Sequence, residues 1–390
     1  MKKRKILYIS GTRADYGLMR QTLFSIKKNP RLELEIAVAG MHLMPEFGKT
    51  INEIKKDKFK IHKVNAIYEK DSKESMASFI GELIQLLVER IIKIKPDVIL
   101  LLGDRAEMLA GAVAGAYLTI PIGHIHGGDV SSTIDDVARN AITKISNVHF
   151  PATKKSAERI IKMGEEKWRV HIVGTPGLDD LLKPKLIPAE EIAKIYKLDL
   201  SKPILLVVQH SVTAEINQAA IHMEETMLAI KKLGYQTIII YPNSDAGGRE
   251  MIKIIEKYRK YPFIRIYKNI PRVDYSSLLR VASVMIGNSS SGIIEAPSFY
   301  LPVVNIGTRQ LGRERAGNII DADYKKEAIK KAIERALYDK KFKSRVKSCK
   351  NPYRGEKTAG LKIAKILGDI KIDKKLLQKN FYEDKKYKRD

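Results

Sequence analysis

The sequence predicts an α/β protein built from two doubly wound domains whose sheets face a cleft. Three observations carry this. Short apolar strand-like runs alternate with helix-patterned segments along almost the whole chain, which argues for parallel sheets with right-handed crossovers. Asp97–Leu102 (DVILLL) is nearly continuously apolar, as a strand covered on both faces must be. The alternation breaks at Gly174-Thr175-Pro176-Gly177, stays polar to Pro188, and then starts again. The expected domains are therefore 1–175 and 176–355, with helical segments over 356–390.

In order, Ile6–Ser10 is the first strand, and Gly11–Gly17 a turn opening a helix that runs to Lys28, where Asn29-Pro30 stops it. Leu34–Ala39 is the second strand, Glu46–Lys56 a helix, and Phe59–Val64 a half-buried strand. In Ser75–Lys93, Phe79, Leu83, Leu86, Leu87 and Ile91 recur at helical spacing. Arg105–Tyr117 is an Ala/Gly-rich helix able to pack closely on the sheet, with Ile120–Ile125 the next strand. Thr133–Ile145, Val148–Pro151, Lys154–Met163 and Val170–Val173 complete the first half as helix, strand, helix and strand.

The second half repeats the theme. Strands are expected at Ile204–Val208, Tyr235–Tyr241, Ile264–Tyr267, Val284–Gly287 and Pro302–Ile306. Helices are expected at Asn217–Leu233, Gly247–Tyr261, Tyr275–Ala282, Ile293–Phe299, Lys325–Asp339 and Thr358–Gly368. The charged tail after Asp373 reads as a loosely attached helix.

Composition excludes several classes. The chain has 390 residues, 44% of them hydrophobic, with no apolar run near the roughly 20 residues that span a bilayer. The basic start, Met1–Lys5, leads into an apolar run too short for a signal peptide. With a lone Cys349, which permits no internal disulfide and no cysteine metal cluster, this gives the expectation of a cytoplasmic, membrane-free protein. The net charge of +26 is spread over scattered lysine pairs, without zinc-finger spacing or an aromatic RNA-binding signature. Nucleic acid is therefore not an expected partner, and the positive field suits a small anionic substrate instead.

Polar residues collect where strands end. Val284–Gly287 leads into Asn288-Ser289-Ser290-Ser291-Gly292 and a helix. Strand, Ser/Gly turn and helix present backbone N–H groups and hydroxyls to an anion. Glu295 lies one turn on, and Arg309 follows the next strand. A nucleotide-diphosphate pocket and an ordinary capped helix both fit this stretch taken alone. Elsewhere Arg13, Asp104 with Arg105, His126 with Asp129, His210 and Asn243 follow strands, where doubly wound sheets bind ligands. Asp104, Asp129, Asp135 and Asp136 supply carboxylates for acid–base work. Arg13, Arg105, Arg139 and Arg309 offer forked contacts to phosphate, and His210 a donor to a departing oxygen. No metal-ligand spacing, Walker lysine or dinucleotide fingerprint is present, so neither a metal nor a cofactor is expected.

These motifs carry a resemblance. Gly11–Gly17 (GTRADYG), Gly103-Asp104-Arg105, His124–Gly128 (HIHGG), Thr133–Asp136, Ala141–Lys144, Gly287–Gly292 (GNSSSG), Asn305–Gln310 (NIGTRQ) and Asn351-Pro352-Tyr353 resemble UDP-N-acetylglucosamine 2-epimerases. The match is in order to about Gly368. It is nearer the hydrolysing branch of sialic acid biosynthesis, which makes N-acetylmannosamine and UDP. Leu18 stands where the non-hydrolysing branch has a lysine, and Ala14-Asp15 where it favours Pro-Glu.

The resemblance implies two Rossmann-like domains of glycosyltransferase-B type, with C-terminal helices crossing back to the first. It implies UDP-N-acetylglucosamine and UDP as ligands, and a homodimer or homotetramer. It assigns substrate binding to Arg13, Arg105, His210, Asn243, Ser289, Ser290, Glu295 and Arg309, and catalysis to Asp104, Asp135, Asp136, Arg139 and His210. His126 stands where many relatives have glutamate, which makes Asp129 the substitute acid–base group. The alternatives are a hydrolysing epimerase of a GDP-linked diacetamido sugar, a non-hydrolysing epimerase, a glycosyltransferase on the same scaffold, and a non-catalytic polyanion binder.

Overall fold

A computed structural model describes residues 3–68, 72–130, 134–179, 186–243, 245–355 and 358–382. The chain divides into two compact units: Met1–Asp129 with Asp135–Leu182 and Tyr353–Asp390, and Val130–Ile134 with Lys183–Pro352. Each contains one six-stranded parallel sheet.

The first sheet comprises β1 (Arg4–Ser10), β2 (Leu32–Val38), β3 (Lys60–Lys63), β4 (Val98–Leu102), β5 (Ile122–Ile125) and β6 (Val148–Phe150), in the order β3-β2-β1-β4-β5-β6. The second comprises β7 (Ile204–Val208), β8 (Gln236–Ile240), β9 (Ile264–Tyr267), β10 (Val284–Gly287), β11 (Val303–Ile306) and β12 (Ile319–Ala322), in the order β12-β11-β10-β7-β8-β9. Renumbered within its own unit and read from the other edge, the second order is identical to the first. Both are Rossmann orders, which reverse direction between β1 and β4 and between β7 and β10. Ligand sites of doubly wound sheets form outside the carboxyl ends at that reversal.

Pleating sends successive side chains to opposite faces, so each sheet has two cores. Ile6, Tyr8 and Leu100 pack with Met19 and Leu23 of helix Arg13–Lys28 and with Ile363 and Leu367 of helix Ala359–Asp369. Leu7, Ile9, Ile99 and Leu101 pack on the opposite face with Phe79, Leu83 and Leu87. In the second unit Leu205 and Val207 face Met223 and Ile333, whereas Leu206 and Val208 face Leu278 and Leu279.

Several elements depart from the sequence reading. Helix Ile51–Lys56 is short and follows two 3-10 turns, because Gly48 turns left-handed (φ 90°) after Pro45–Phe47. Val170–Val173 makes only an isolated bridge between Val170 and His149. The helix after β10 starts at Ser290, ends at Ile294, and passes into a 3-10 turn at Ala296–Phe299, where Pro297 has no N–H to continue the ladder. Thr133 lies outside the described residues; the helix there is Ile134–Ile145. β12 and the helices Ala189–Ile195 and Lys340–Lys347 had no counterpart in that reading.

As far as Tyr382 the tail is not loosely attached. Arg169, 1% exposed, donates to the carbonyls of Lys375, Leu376 and Gln378 at 2.7, 2.8 and 3.2 Å. Leu376 is buried, and Lys379 reaches Glu165 at 2.7 Å.

Candidate active site

In the first unit, the carboxyl ends of β4 and β5 hold an acid cluster assembled around one cation. Arg139, on helix Ile134–Ile145, is 1% exposed. One arm of its guanidinium pairs with Asp104, in the turn after β4; the other pairs with Asp136, one helical turn back. It also donates to the backbone carbonyl of Asp129 at 2.9 Å. Burial alone would disfavour the charge, but Asp104, Asp129 and Asp136 more than offset it and raise the pKa above its ordinary value. A permanent positive charge therefore holds the acids together. Asp135 lies in the first turn of the same helix.

A neighbouring histidine fixes the Asp104 turn. His124 is fully buried, and desolvation lowers its pKa to about 3, so the ring is neutral. Its Nε2–H donates to the carbonyl of Gly103 at 2.7 Å, and Nδ1 accepts from the Thr143 hydroxyl at 3.1 Å. A rigid strand end is thereby tied to the helix that supplies Arg139.

Asp129 is buried too. Its carboxylate accepts from Ser156 Oγ at 2.7 Å and lies 2.9 Å from His126 Nδ1. Between them Gly128 turns left-handed (φ 75°), and a Cβ there would come within 2.2 Å of the Ser156 carbonyl. Only glycine lets the loop close down on helix Lys154–Lys162.

The loop after β1 is fixed by a buried carboxylate. Asp15 accepts from the N–H groups of Gly11 and Thr12 and the hydroxyls of Tyr8, Ser10 and Thr12. Thr12 caps the helix in return, a reciprocal capping box that sets the backbone around Arg13. Arg105 donates to Glu107 at 3.2 Å; that glutamate is fully buried.

In the second unit, the polar residues gather at the ends of β7, β8, β10 and β11. The Asn288 side chain accepts from the His210 N–H at 2.7 Å and donates to the His210 carbonyl at 2.9 Å. His210 Nδ1 accepts from the Asn243 N–H at 3.1 Å, which leaves Nε2 as the proton-bearing nitrogen of the neutral ring. Gly287 has φ 125°, and a Cβ there would meet the Val208 carbonyl at 2.2 Å; that approach brings the serine turn against β7. Ser289 caps helix Ser290–Ile294. Arg309 and Gln310 donate to the Asn288 carbonyl at 3.3 and 2.9 Å. Glu295 is 2% exposed, paired with Arg272 and accepting from Ser291 Oγ, which in turn accepts from Tyr275 at 2.7 Å.

The structure thus gathers Asp104, Asp129, Asp136 and Arg139 in one network, and His210, Asn243 and Arg309 around the Asn288 turn. Sequence reasoning missed the orienting residues His124, Ser156, Asn288, Arg272 and Tyr275. Of these, Asn288 and His124 had a signal, their places inside the Gly-Asn-Ser-Ser-Ser-Gly turn and the His-Ile-His-Gly-Gly motif.

The family model for UDP-N-acetylglucosamine 2-epimerase matches residues 25–368. The chain belongs to the UDP-N-acetylglucosamine 2-epimerase family. It is 42% identical over 341 residues to a UDP-N,N'-diacetylbacillosamine 2-epimerase (hydrolyzing) of Legionella pneumophila, covering 87% of this chain and 90% of that one. It is 34% identical over 341 residues to a UDP-N-acetylglucosamine 2-epimerase of Neisseria meningitidis, covering 87% and 89%.

Among solved structures, a Neisseria meningitidis UDP-GlcNAc 2-epimerase bound to UDP-GlcNAc superposes with a TM-score of 0.79 at 17% identity, covering 93% of this chain and 99% of that one. That likeness establishes the fold of this epimerase-family chain: two Rossmann-like domains of glycosyltransferase-B type. No helix among the described residues is long and apolar enough to cross a membrane.

Proposed function

We propose that this protein is a hydrolysing 2-epimerase that converts UDP-N-acetylglucosamine and water to N-acetylmannosamine and UDP. The observation that carries the reading is the acid cluster around Arg139 at the carboxyl ends of β4 and β5, in a chain of this family. Inverting a carbon next to the anomeric centre without a redox cofactor requires a proton to leave C2 and another to return from the opposite face. Two proton-transfer groups are therefore needed, held apart from each other but inside one network.

In this reading the C1–O bond breaks as Asp104 takes the C2 proton, and the electron pair forms the C1–C2 double bond of 2-acetamidoglucal. The second unit's serine turn (Ser289, Ser290), Arg309 and His210 take up the charge on the departing diphosphate, as do Arg13 and Arg105. Asn243 and Glu295 contribute to nucleotide binding. Water then adds at C1 while a proton returns to C2, giving the manno configuration. Asp135, Asp136 and Arg139 hold the charge balance around the reacting carbon.

Identity to the Legionella protein favours a second reading of the substrate, UDP-N,N'-diacetylbacillosamine, with the chemistry unchanged. Both readings are tested by incubating each UDP-sugar in heavy water and following free UDP and the product by NMR. Stoichiometric UDP release with deuterium at C2 supports hydrolysing epimerisation. Epimerised sugar still attached to UDP would replace it with the non-hydrolysing reaction. The sugar turned over faster identifies the substrate.

A further inference from the structure

The loop after β5 contains a strained residue that the acid cluster does not account for. His126 has φ 65°, one of seven described non-glycine residues with a left-handed backbone, a conformation uncommon outside glycine that costs on the order of 1–3 kcal/mol. Such strain collects at working sites. The turn folds Asp129 back onto the ring, with Nδ1 and Oδ2 2.9 Å apart. Each oxygen of Asp129 already has a partner. Oδ2 faces His126, Oδ1 accepts from Ser156 at 2.7 Å, and its carbonyl accepts from Arg139 at 2.9 Å.

A carboxylate on Nδ1 keeps a proton there in both the neutral and the cationic ring, so Nε2 is the nitrogen that gains and loses one. No described residue hydrogen-bonds that Nε2, and His126 keeps 11% of its side chain exposed against 3% for Asp129. The order of contacts Asp104, Arg139, Asp129, His126 also joins the two proton-transfer groups into one network.

We propose that His126 delivers the proton to C2 in the hydration step, and that Asp129 is a positioning residue acting through the ring. The assignment rests on the hydrolysing-epimerase reading. When water attacks C1, the electron pair of the C1–C2 double bond takes the Nε2 proton of a His126 imidazolium, which leaves the neutral ring with its Nδ1–H on Asp129, and the proton shed by the attacking water passes to solvent. Asp104, protonated in the elimination, and His126, deprotonated in the hydration, both return to their starting states by exchange with solvent. No oxidant, reductant or further reactant enters.

The test uses His126→Gly, since glycine is at ease at this φ and leaves room for added imidazole. In heavy water the wild type is expected to release UDP and form C2-deuterated product. His126→Gly should still bind UDP, still release UDP from the UDP-sugar, accumulate the glycal, and form product at least about 10²-fold more slowly. Millimolar imidazole should restore product formation in this variant and not in Asp104→Asn. Asp129→Asn should displace the pH profile of product formation while leaving the KM for the UDP-sugar unchanged, which a merely structural role would not do.

Product formation by His126→Gly within a few-fold of wild type, or loss of UDP release in parallel with product and without imidazole rescue, overturns the assignment. A wild type that forms product without C2 deuterium instead overturns the reading of the reaction, and the assignment falls with it.

Discussion

Replacing Glu165 by Gln tests how the far end of helix Ile134–Ile145 is held. The Glu165 side chain has no exposed surface and accepts from Lys144 at 2.8 Å, Lys379 at 2.7 Å and His149 Nε2 at 2.9 Å. Lys379 also donates to the carbonyls of Lys144 and Ser146, both at 2.6 Å, and so caps the C-terminal end of helix Ile134–Ile145 with a cation. Burial alone would raise the pKa of Glu165. His149, which burial keeps in its neutral, donating form, and then Lys144 and Lys379 bring it down instead to about 2, from an ordinary 4.5.

At 1.36 kcal/mol per pH unit, that difference sets a ceiling of about 3.4 kcal/mol. Lys144 is 42% exposed, so part of its pairing is screened by water. The expected loss in Glu165→Gln is about 2–3 kcal/mol at pH 7, or about 5–10 °C in Tm for a unit of this size. A carboxylate with a depressed folded pKa stabilises above its unfolded pKa, and that contribution is lost as pH falls through the folded value. The gap between wild type and variant should therefore be full at pH 7, begin to close below pH 4.5, and be nearly gone at pH 2. Urea unfolding followed by circular dichroism from pH 7 downward measures it. A gap under about 1 kcal/mol at pH 7, or one that stays constant down to pH 2, would refute the reasoning.

Other outcomes follow from the same contacts. Asp104→Asn removes the proposed C2 base and should lower kcat by about 10²-fold or more, read as UDP release, with thermal stability measured in parallel because Arg139 loses a partner. Gly287→Ala sets a Cβ 2.2 Å from the Val208 carbonyl at φ 125° and should cost at least about 3 kcal/mol and weaken UDP binding, measured by melting and calorimetry. Truncation after Asp373 uncovers Glu165 and leaves the Arg169 guanidinium without the three tail carbonyls it binds. Its melting temperature should fall further than that of Glu165→Gln, and equal melting temperatures would show the tail to be unimportant.

Strands were legible wherever they lay deep in a sheet. The Val98–Leu102 and Ile204–Val208 runs are apolar throughout because both faces are covered. β12 was not legible. It is an edge strand of four residues with only Ile320 buried, interrupted by Asp321, which binds Arg315 and Asn305. Helix Lys340–Lys347 buries only Phe342 and Val346 among lysines, too few apolar residues for a 3.6-residue period to emerge. The anchored tail was hidden for another reason. Its main attachments are backbone carbonyls received by Arg169, and a carbonyl leaves no mark in a sequence. The same holds for the site: Asp104 and Arg139 are 35 residues apart, and a propensity argument places each on its element without pairing them.

The buried arginine also explains how acids can be concentrated in a protein whose substrate is proposed to be an anion. Unpaired carboxylates at the mouth of β4 and β5 would repel a diphosphate and, once desolvated, would tend to neutralise by binding protons. Arg139 cancels part of that charge from beneath, with 1% of its own surface exposed against 22% for each of the Asp104 and Asp136 side chains. The cation is withheld from solvent while the carboxylates remain reachable. A lysine could supply the charge but not the geometry, since two carboxylates and a backbone carbonyl in three directions require a planar fork. Holding acids close together and accessible therefore depends on a guanidinium below them, and His124 and the Gly128 turn fix the loops on which those acids stand.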